Sequence, residues 1–197
     1  RASYHGSPTP WFIMKVRAMP RRAALLVAAH GFLGVPAVAG AQRAADNARS
    51  AIPSTIREQH EELRAELASA TKLAGRTGVA ARALASLLQP HLDREERIAL
   101  PPLTVLGPLS RKERVTSASW LVPMTDSLRR EMPRMLSEHV AIRAAAQRLA
   151  TVAQSEGQQL VVRFTDKLTT YQRSEEEILY PAAIVVGDLM RALGARP

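Results

Sequence analysis

The sequence predicts an all-α fold, an up-and-down four-helix bundle with a short C-terminal helix. Three observations predict it. Aromatic residues make up only 4% of the 197 residues, while Ala and Leu abound, a balance that favours helices over sheets. Four stretches of about 20 residues carry apolar side chains at steps of three and four, the helical period. The chain also nearly repeats itself. His91-Leu92-Asp93-Arg94-Glu95-Glu96 through Pro101 matches Tyr171-Gln172-Arg173-Ser174-Glu175-Glu176 through Pro181, and Gln59-His60-Glu61-Glu62-Leu63-Arg64 matches Glu138-His139-Val140-Ala141-Ile142-Arg143.

The elements follow in order. Lys15 to Arg22 form a basic stretch, Ala23 to Val38 are apolar apart from His30, and Ala39-Gly40-Ala41 is a small-residue cleavage site. This is the three-part pattern of a secretory signal peptide. It predicts export to the periplasm or medium, a start at Met14 or Met19, and a mature chain from Gln42 with no stable membrane span. The apolar run is short of the roughly 20 residues that a spanning helix needs. Residues 1–41 are thus assigned to an upstream segment plus signal, 42–53 to a linker and 54–193 to the bundle.

Thr55-Ile56-Arg57-Glu58 has the form of a capping box and predicts the start of the first helix. Its stripe is Ile56, His60, Leu63, Leu67, Ala70 and Ala74, with Gly75 and Gly78 ending it. The second helix is expected from about Val79 to Leu100, with Leu84, Leu87, His91, Glu95 and Ile98 on one face and Pro101-Pro102 as its stop. Leu103 to Pro123 reads as a connector, pinned by Trp120. The third helix carries Leu128, Met132, Met135, His139, Ile142, Ala146 and Leu149, and Gly157 interrupts it. The fourth carries Leu160, Phe164, Leu168, Tyr171, Glu175 and Ile178, and Pro181 breaks it before a terminal helix from Ala182 to Leu193. Pro90 and Pro133 fall inside helical patterns, where proline costs about 3 kcal/mol. They predict either kinks or new helix starts.

Composition narrows the chemistry. Cysteine is absent, which excludes disulfides, iron–sulfur clusters and thiolate zinc sites; a metal here must take His, carboxylate or phenolate ligands. The net charge of +9 is unevenly spread: residues 1–41 hold five basic and no acidic residues, leaving 22 basic against 18 acidic in the rest. No basic block is interleaved with aromatics, so no nucleic-acid partner is expected. No Ser/His/Asp triad or phosphate loop is present either.

The polar residues on the core stripes are His60, His91, Glu95, His139, Tyr171 and Glu175. Residues at i and i+4 share a helix face, so one helix can offer His91 and Glu95 to one site, and another Tyr171 and Glu175. The spacing from His60 to His91 is 31 residues and from His139 to Tyr171 it is 32, as a site built by pseudo-twofold symmetry requires. Two carboxylates in an apolar interior each cost several kcal/mol when unpaired. A divalent metal is the simplest compensation.

At these residues the chain resembles the hemerythrin-like family, also called the HHE cation-binding domain. The family pattern of His, His-x-x-x-Glu, His and His-x-x-x-Glu appears as His60, His91/Glu95, His139 and Tyr171/Glu175, followed by an acidic run and Tyr180-Pro181. The resemblance covers about residues 53–185. It implies a bundle around a non-haem di-iron centre, with Glu95 and Glu175 as bridges and the histidines as terminal ligands. It also implies binding or sensing of oxygen, or handling of peroxide or nitric oxide, with an electron partner that the sequence does not identify. Two departures stand out. Tyr171 replaces the fourth-helix His, and neither Met135 nor Arg143 can replace the second third-helix His of the oxygen carriers. Glu176 is the alternative to Glu175, because those carriers place the carboxylate five residues after the His. A phenolate at Tyr171 favours ferric iron and so favours redox or peroxide chemistry over reversible oxygen carriage. The alternative function is a metal-free, degenerate helical bundle with a structural or partner-binding role.

Overall fold

A computed structural model describes residues 52–115 and 120–194; the signal segment, most of the linker and residues 116–119 of the connector lie outside the described residues. Every element within them is helical. Helix α1 spans Ser54–Thr71, α2 Gly75–Ile98, the short α3 Leu106–Ser110, α4 Leu121–Ser155, α5 Gln159–Ser174 and α6 Tyr180–Gly194. A 3₁₀ turn, Pro101–Val105, follows α2, and a π-helical turn, Glu175–Leu179, joins α5 to α6.

Several boundaries differ from the sequence reading. The Thr55–Glu58 capping box does not form. Pro53 takes the cap position, and its carbonyl accepts the N–H groups of Ile56 and Arg57 at 3.0 Å each. The helix therefore starts before Thr55 can act as a cap. Gly78 does not end α1 but lies in the first turn of α2. A Cβ there would sit 1.9 Å from the Leu73 carbonyl oxygen, so only glycine permits this tight a turn between the helices. The turn itself uses Gly75 at φ +77°.

The start of α2 is capped from a distance. Glu156, at the turn between α4 and α5, accepts the backbone N–H groups of Arg76 (3.1 Å) and Thr77 (3.0 Å) and the Thr77 hydroxyl (2.6 Å). These are donors that the first turn of a helix leaves without partners. The Thr77 hydroxyl and amide, with the Arg76 amide, hold the Glu156 carboxyl down at about 2.

Pro90 and Pro133 both lie within continuous helix. Both are solvent-facing, so water can serve the carbonyls they leave unbonded. Pro123 falls in the first turn of α4, where its missing N–H has no intrahelical partner to lose. Pro181 does not stop the chain. The π turn widens the helix so that the Tyr180 N–H reaches the Glu175 carbonyl, and α6 continues through the proline. The other copy has the matching bond: Leu100 N–H donates to the Glu95 carbonyl at 3.0 Å, immediately before Pro101.

Four members of the expected stripes face outward. Ala74, which lies past the end of α1, is exposed, as are Leu87, Leu160 and Ile178. The π turn accounts for Ile178, because its extra residue rotates everything after Glu175 off the α-helical register. Leu88, one position on, takes the buried place expected of Leu87. Trp120 is also exposed.

The core has two main parts. One is built by α1, α2, α4 and α5 around Leu63, Leu84, Leu92, Ile142, Leu149 and Leu168. The other gathers Leu100, Leu103, Leu128, Met135, Tyr180 and Ala183 near the two proline turns. His60 on α1, Glu95 on α2 and His139 on α4 fall where the chain passes from one part to the other. Among the described residues, no helix is long and apolar enough to cross a membrane.

Candidate metal centre

His60 on α1, His91 and Glu95 on α2, His139 on α4 and Glu175 at the end of α5 are each at most 1% exposed. Ligand atoms of His91, Glu95, His139 and Glu175 all lie within 4.8 Å of one another. His60 Nε2 stands 3.7 Å from Glu95 Oε2 and 3.8 Å from Glu175 Oε1. Tyr171 packs edge-on against the His60 ring, with centroids 5.5 Å apart. The structure thus brings all six residues singled out in the sequence into one buried cluster.

The histidines are oriented from outside. His60 Nδ1 donates to Glu96 (3.0 Å), His91 Nδ1 to Glu138 (2.9 Å) and His139 Nδ1 to Glu176 (2.7 Å). A carboxylate can only accept here, so each ring holds its proton on Nδ1 and turns a lone pair inward on Nε2. Each glutamate is anchored in turn by an arginine: Arg64 on Glu96 (2.5 Å), Arg94 on Glu138 (2.6 Å) and Arg143 on Glu176 (2.5 Å). Burial works to raise Glu138 and Glu176, but His91 with Arg134 on the first, and Arg143 with His139 on the second, hold both carboxyls below the usual range.

The inside of the cluster is short of positive charge. Burial and the facing Glu95 carboxylate push the Glu175 carboxyl well up. Burial opposes ionisation of Glu95 as well, yet the hydrogen bond and charge of His91 hold it low. His91 is raised, its carboxylate neighbours Glu95 and Glu138 outweighing burial, while burial and the His91 charge lower His139. Nε2 of His91 and of His139 approach to 2.8 Å. With both rings neutral two lone pairs would face each other there; a proton on His91, or a metal cation held by both nitrogens, removes that repulsion. His60 Nε2, Glu95 Oε2, Glu175 Oε1 and the Tyr171 hydroxyl are buried with no hydrogen-bond partner. Unpartnered atoms of this kind, all acceptors or ionisable groups, fit a bound metal.

A family model described as the hemerythrin HHE cation binding domain matches residues 51–183. The chain belongs to the hemerythrin HHE cation-binding family. No curated protein and no solved structure matches it significantly. Within this hemerythrin-type domain Glu175 and Glu176 take different positions. Glu175 faces the cluster, and Glu176 faces outward as the acceptor for His139.

Residue-by-residue reading missed two groups. Glu96, Glu138 and Glu176 were overlooked as histidine acceptors, although the Glu-Glu doublets and the matched Arg64 and Arg143 were signals for Glu96 and Glu176. Tyr180 was noted only as part of the aromatic-Pro ending. It is 1% exposed, its ring stacks on His139, and its hydroxyl donates to Glu95 and lies 3.2 Å from His139 Nε2.

Proposed function

We propose that this protein is an exported, up-and-down hemerythrin-type bundle holding a non-haem di-iron centre. Its use is redox or peroxide chemistry, or the binding and sensing of a small ligand such as oxygen or nitric oxide. The observation that carries the reading is the inward convergence of three imidazole Nε2 atoms, two carboxylates and a phenol, several of them without any partner.

In this reading His60, His91 and His139 would hold the metal through Nε2, and the Glu95 and Glu175 carboxylates would hold it and offset its charge. Bound iron would supply an electron-transfer centre and an open coordination position. The chain supplies the rest. The Glu–Arg pairs fix the tautomer and aim of each imidazole. Tyr180 holds a proton against Glu95 Oε1 and so limits how that carboxylate can turn. Two apolar clusters keep water from the carboxylates, which strengthens every charge interaction among them. Tyr171 provides the sixth donor. Burial first, then the Glu175 and Glu95 charges, push its hydroxyl well up; a cation beside it reverses that balance and favours the phenolate.

The test is elemental analysis of folded, iron-reconstituted protein, with its visible spectrum. The expected content is about two iron atoms per chain, with a broad phenolate-to-iron band that Tyr171→Phe removes. Iron near zero in folded protein would sink the reading and leave the metal-free helical role. Iron retained with an unchanged Tyr171→Phe spectrum would make Tyr171 a packing residue. Export is a separate part of the proposal, supported by the pattern of residues 15–41. N-terminal sequencing of protein from its natural host should read from Gln42; an intact segment in the membrane fraction would mean an anchor.

A further inference from the structure

The three histidine supports share one plan, and the fourth position lacks all of it. His60 has Glu96 and Arg64, His139 has Glu176 and Arg143, and His91 has Glu138 and Arg94. The repeat pairs His60 with His139, Glu96 with Glu176 and Arg64 with Arg143. It pairs the members of the third support with Tyr171, Gln59 and Ser174: Tyr171 stands where His91 does, Gln59 where Glu138 does, and Ser174 where Arg94 does. Imidazole, carboxylate and guanidinium have been replaced together by phenol, amide and hydroxyl. The result is shape as well as charge. Gln59, Tyr171 and Ser174 line a cavity of about 320 Å³ together with Leu63, Thr170 and the ion-paired Glu62 and Lys167.

We propose that this cavity is the port through which a small neutral ligand, of the size of a diatomic gas or hydrogen peroxide, reaches the centre; this rests on the metal-site reading above. On the other three faces an ion-paired Glu–Arg layer stands between the imidazole and solvent. On this face the barrier is the Tyr171 ring, 8% exposed, and the Leu63 side chain beside it. Tyr171 touches both sides, since its hydroxyl is buried without a partner while its ring borders the cavity. Gln59 and Ser174 offer an amide and a hydroxyl at the entrance, suited to a neutral hydrogen-bonding guest. Lys167 bridges Glu62 and Glu66 at 2.9 and 2.6 Å, so its charge is already engaged and selects no anion.

The test separates the port from the metal. In metal-free protein, dissolved oxygen should enhance nuclear relaxation of the Leu63 methyls more than those of Leu149, which is equally buried but away from the cavity. Ser174→Phe, which fills the cavity, should abolish the difference. In reduced, iron-loaded protein, Ser174→Phe should slow the colour change on adding nitric oxide several-fold at unchanged iron content. Gln59→Trp, at an exposed position, serves as a second plug if Ser174→Phe does not fold. Equal relaxation at Leu63 and Leu149, or entry rates indifferent to both plugs, would overturn the port. Failure to bind iron with the Leu63 effect intact would overturn the di-iron reading alone.

Discussion

The α1–α2 pair and the α4–α5 pair carry the same inward skeleton with different surroundings. Each has a His on its first helix, an inward Glu on its second, an outward Glu next to it, and a backbone bond of five-residue spacing before a proline. They part at two points. In the first pair the proline turn begins at Leu100; in the second it begins at Tyr180, whose hydroxyl enters the site. The first pair offers His91 with full support, and the second offers Tyr171 with none. The features that aim inward donors match, and the chemistry of one ligand and its access differ.

The strongest way to break the comparison is to remove what both halves share. Glu95→Ala and Glu175→Ala should each abolish iron binding and, with it, the stability the metal confers. That stability amounts to about 2.7 kcal/mol when free metal is a hundredfold above its dissociation constant. Iron content and thermal melts with and without metal check this; retention of full iron by either variant would remove that carboxylate from the ligand set. Next is the outer layer. Glu138→Ala should weaken metal binding by about 10–100-fold, as is usual for an outer-shell partner, and Glu176→Ala should do less than Glu175→Ala. If Glu176→Ala instead loses iron while Glu175→Ala keeps it, the inward residue is one position on.

The halves can also be made more alike. Tyr171→His alone places an imidazole where Gln59 and Ser174 offer no carboxylate or guanidinium. Tyr171→His with Gln59→Glu and Ser174→Arg supplies a whole support. The triple variant should bind iron more tightly than the single one, by up to about 10–100-fold, as titration against a chelator would measure. Equal affinities would mean that the three replacements are not coupled.

The smallest expected effect lies at the turn that joins the two halves. The Glu156 carboxyl titrates near 2 in the folded protein, against 4.5 as its ordinary value. Its support of α2 is therefore fully present above pH 4.5 and fades as pH falls toward 2. Glu156→Gln should be less stable than the parent protein at neutral pH, and the gap should close in acid melts. A gap independent of pH would mean that the charge is irrelevant.

Much of this was legible in the residues. The helical period, the internal repeat and the His and Glu positions placed the inward donors on the right helices, because buried faces leave a strong periodic trace. The register beyond Glu175 was not legible. A π turn adds one residue without any distinctive composition, which is why Ile178 was expected inside and faces out. Nor was the cap on α2, since Glu156 acts across 79 residues on Thr77. Sequence patterns report near neighbours well; pairings between distant turns leave no comparable mark.

That distant cap also bears on the order of folding. The Thr77 and Arg76 amides gain their carboxylate only after the chain has closed a loop of 79 residues or more, a step that carries an entropic cost of its own. An isolated α1–α2 hairpin therefore has a frayed entry to α2, whatever its apolar face can bury. Glu156 acts as a latch set late, once both hairpins have met. Loosening a latch of this kind speeds unfolding and leaves the folding rate nearly untouched, so Glu156→Gln should shorten the lifetime of the native state more than it slows the approach to it.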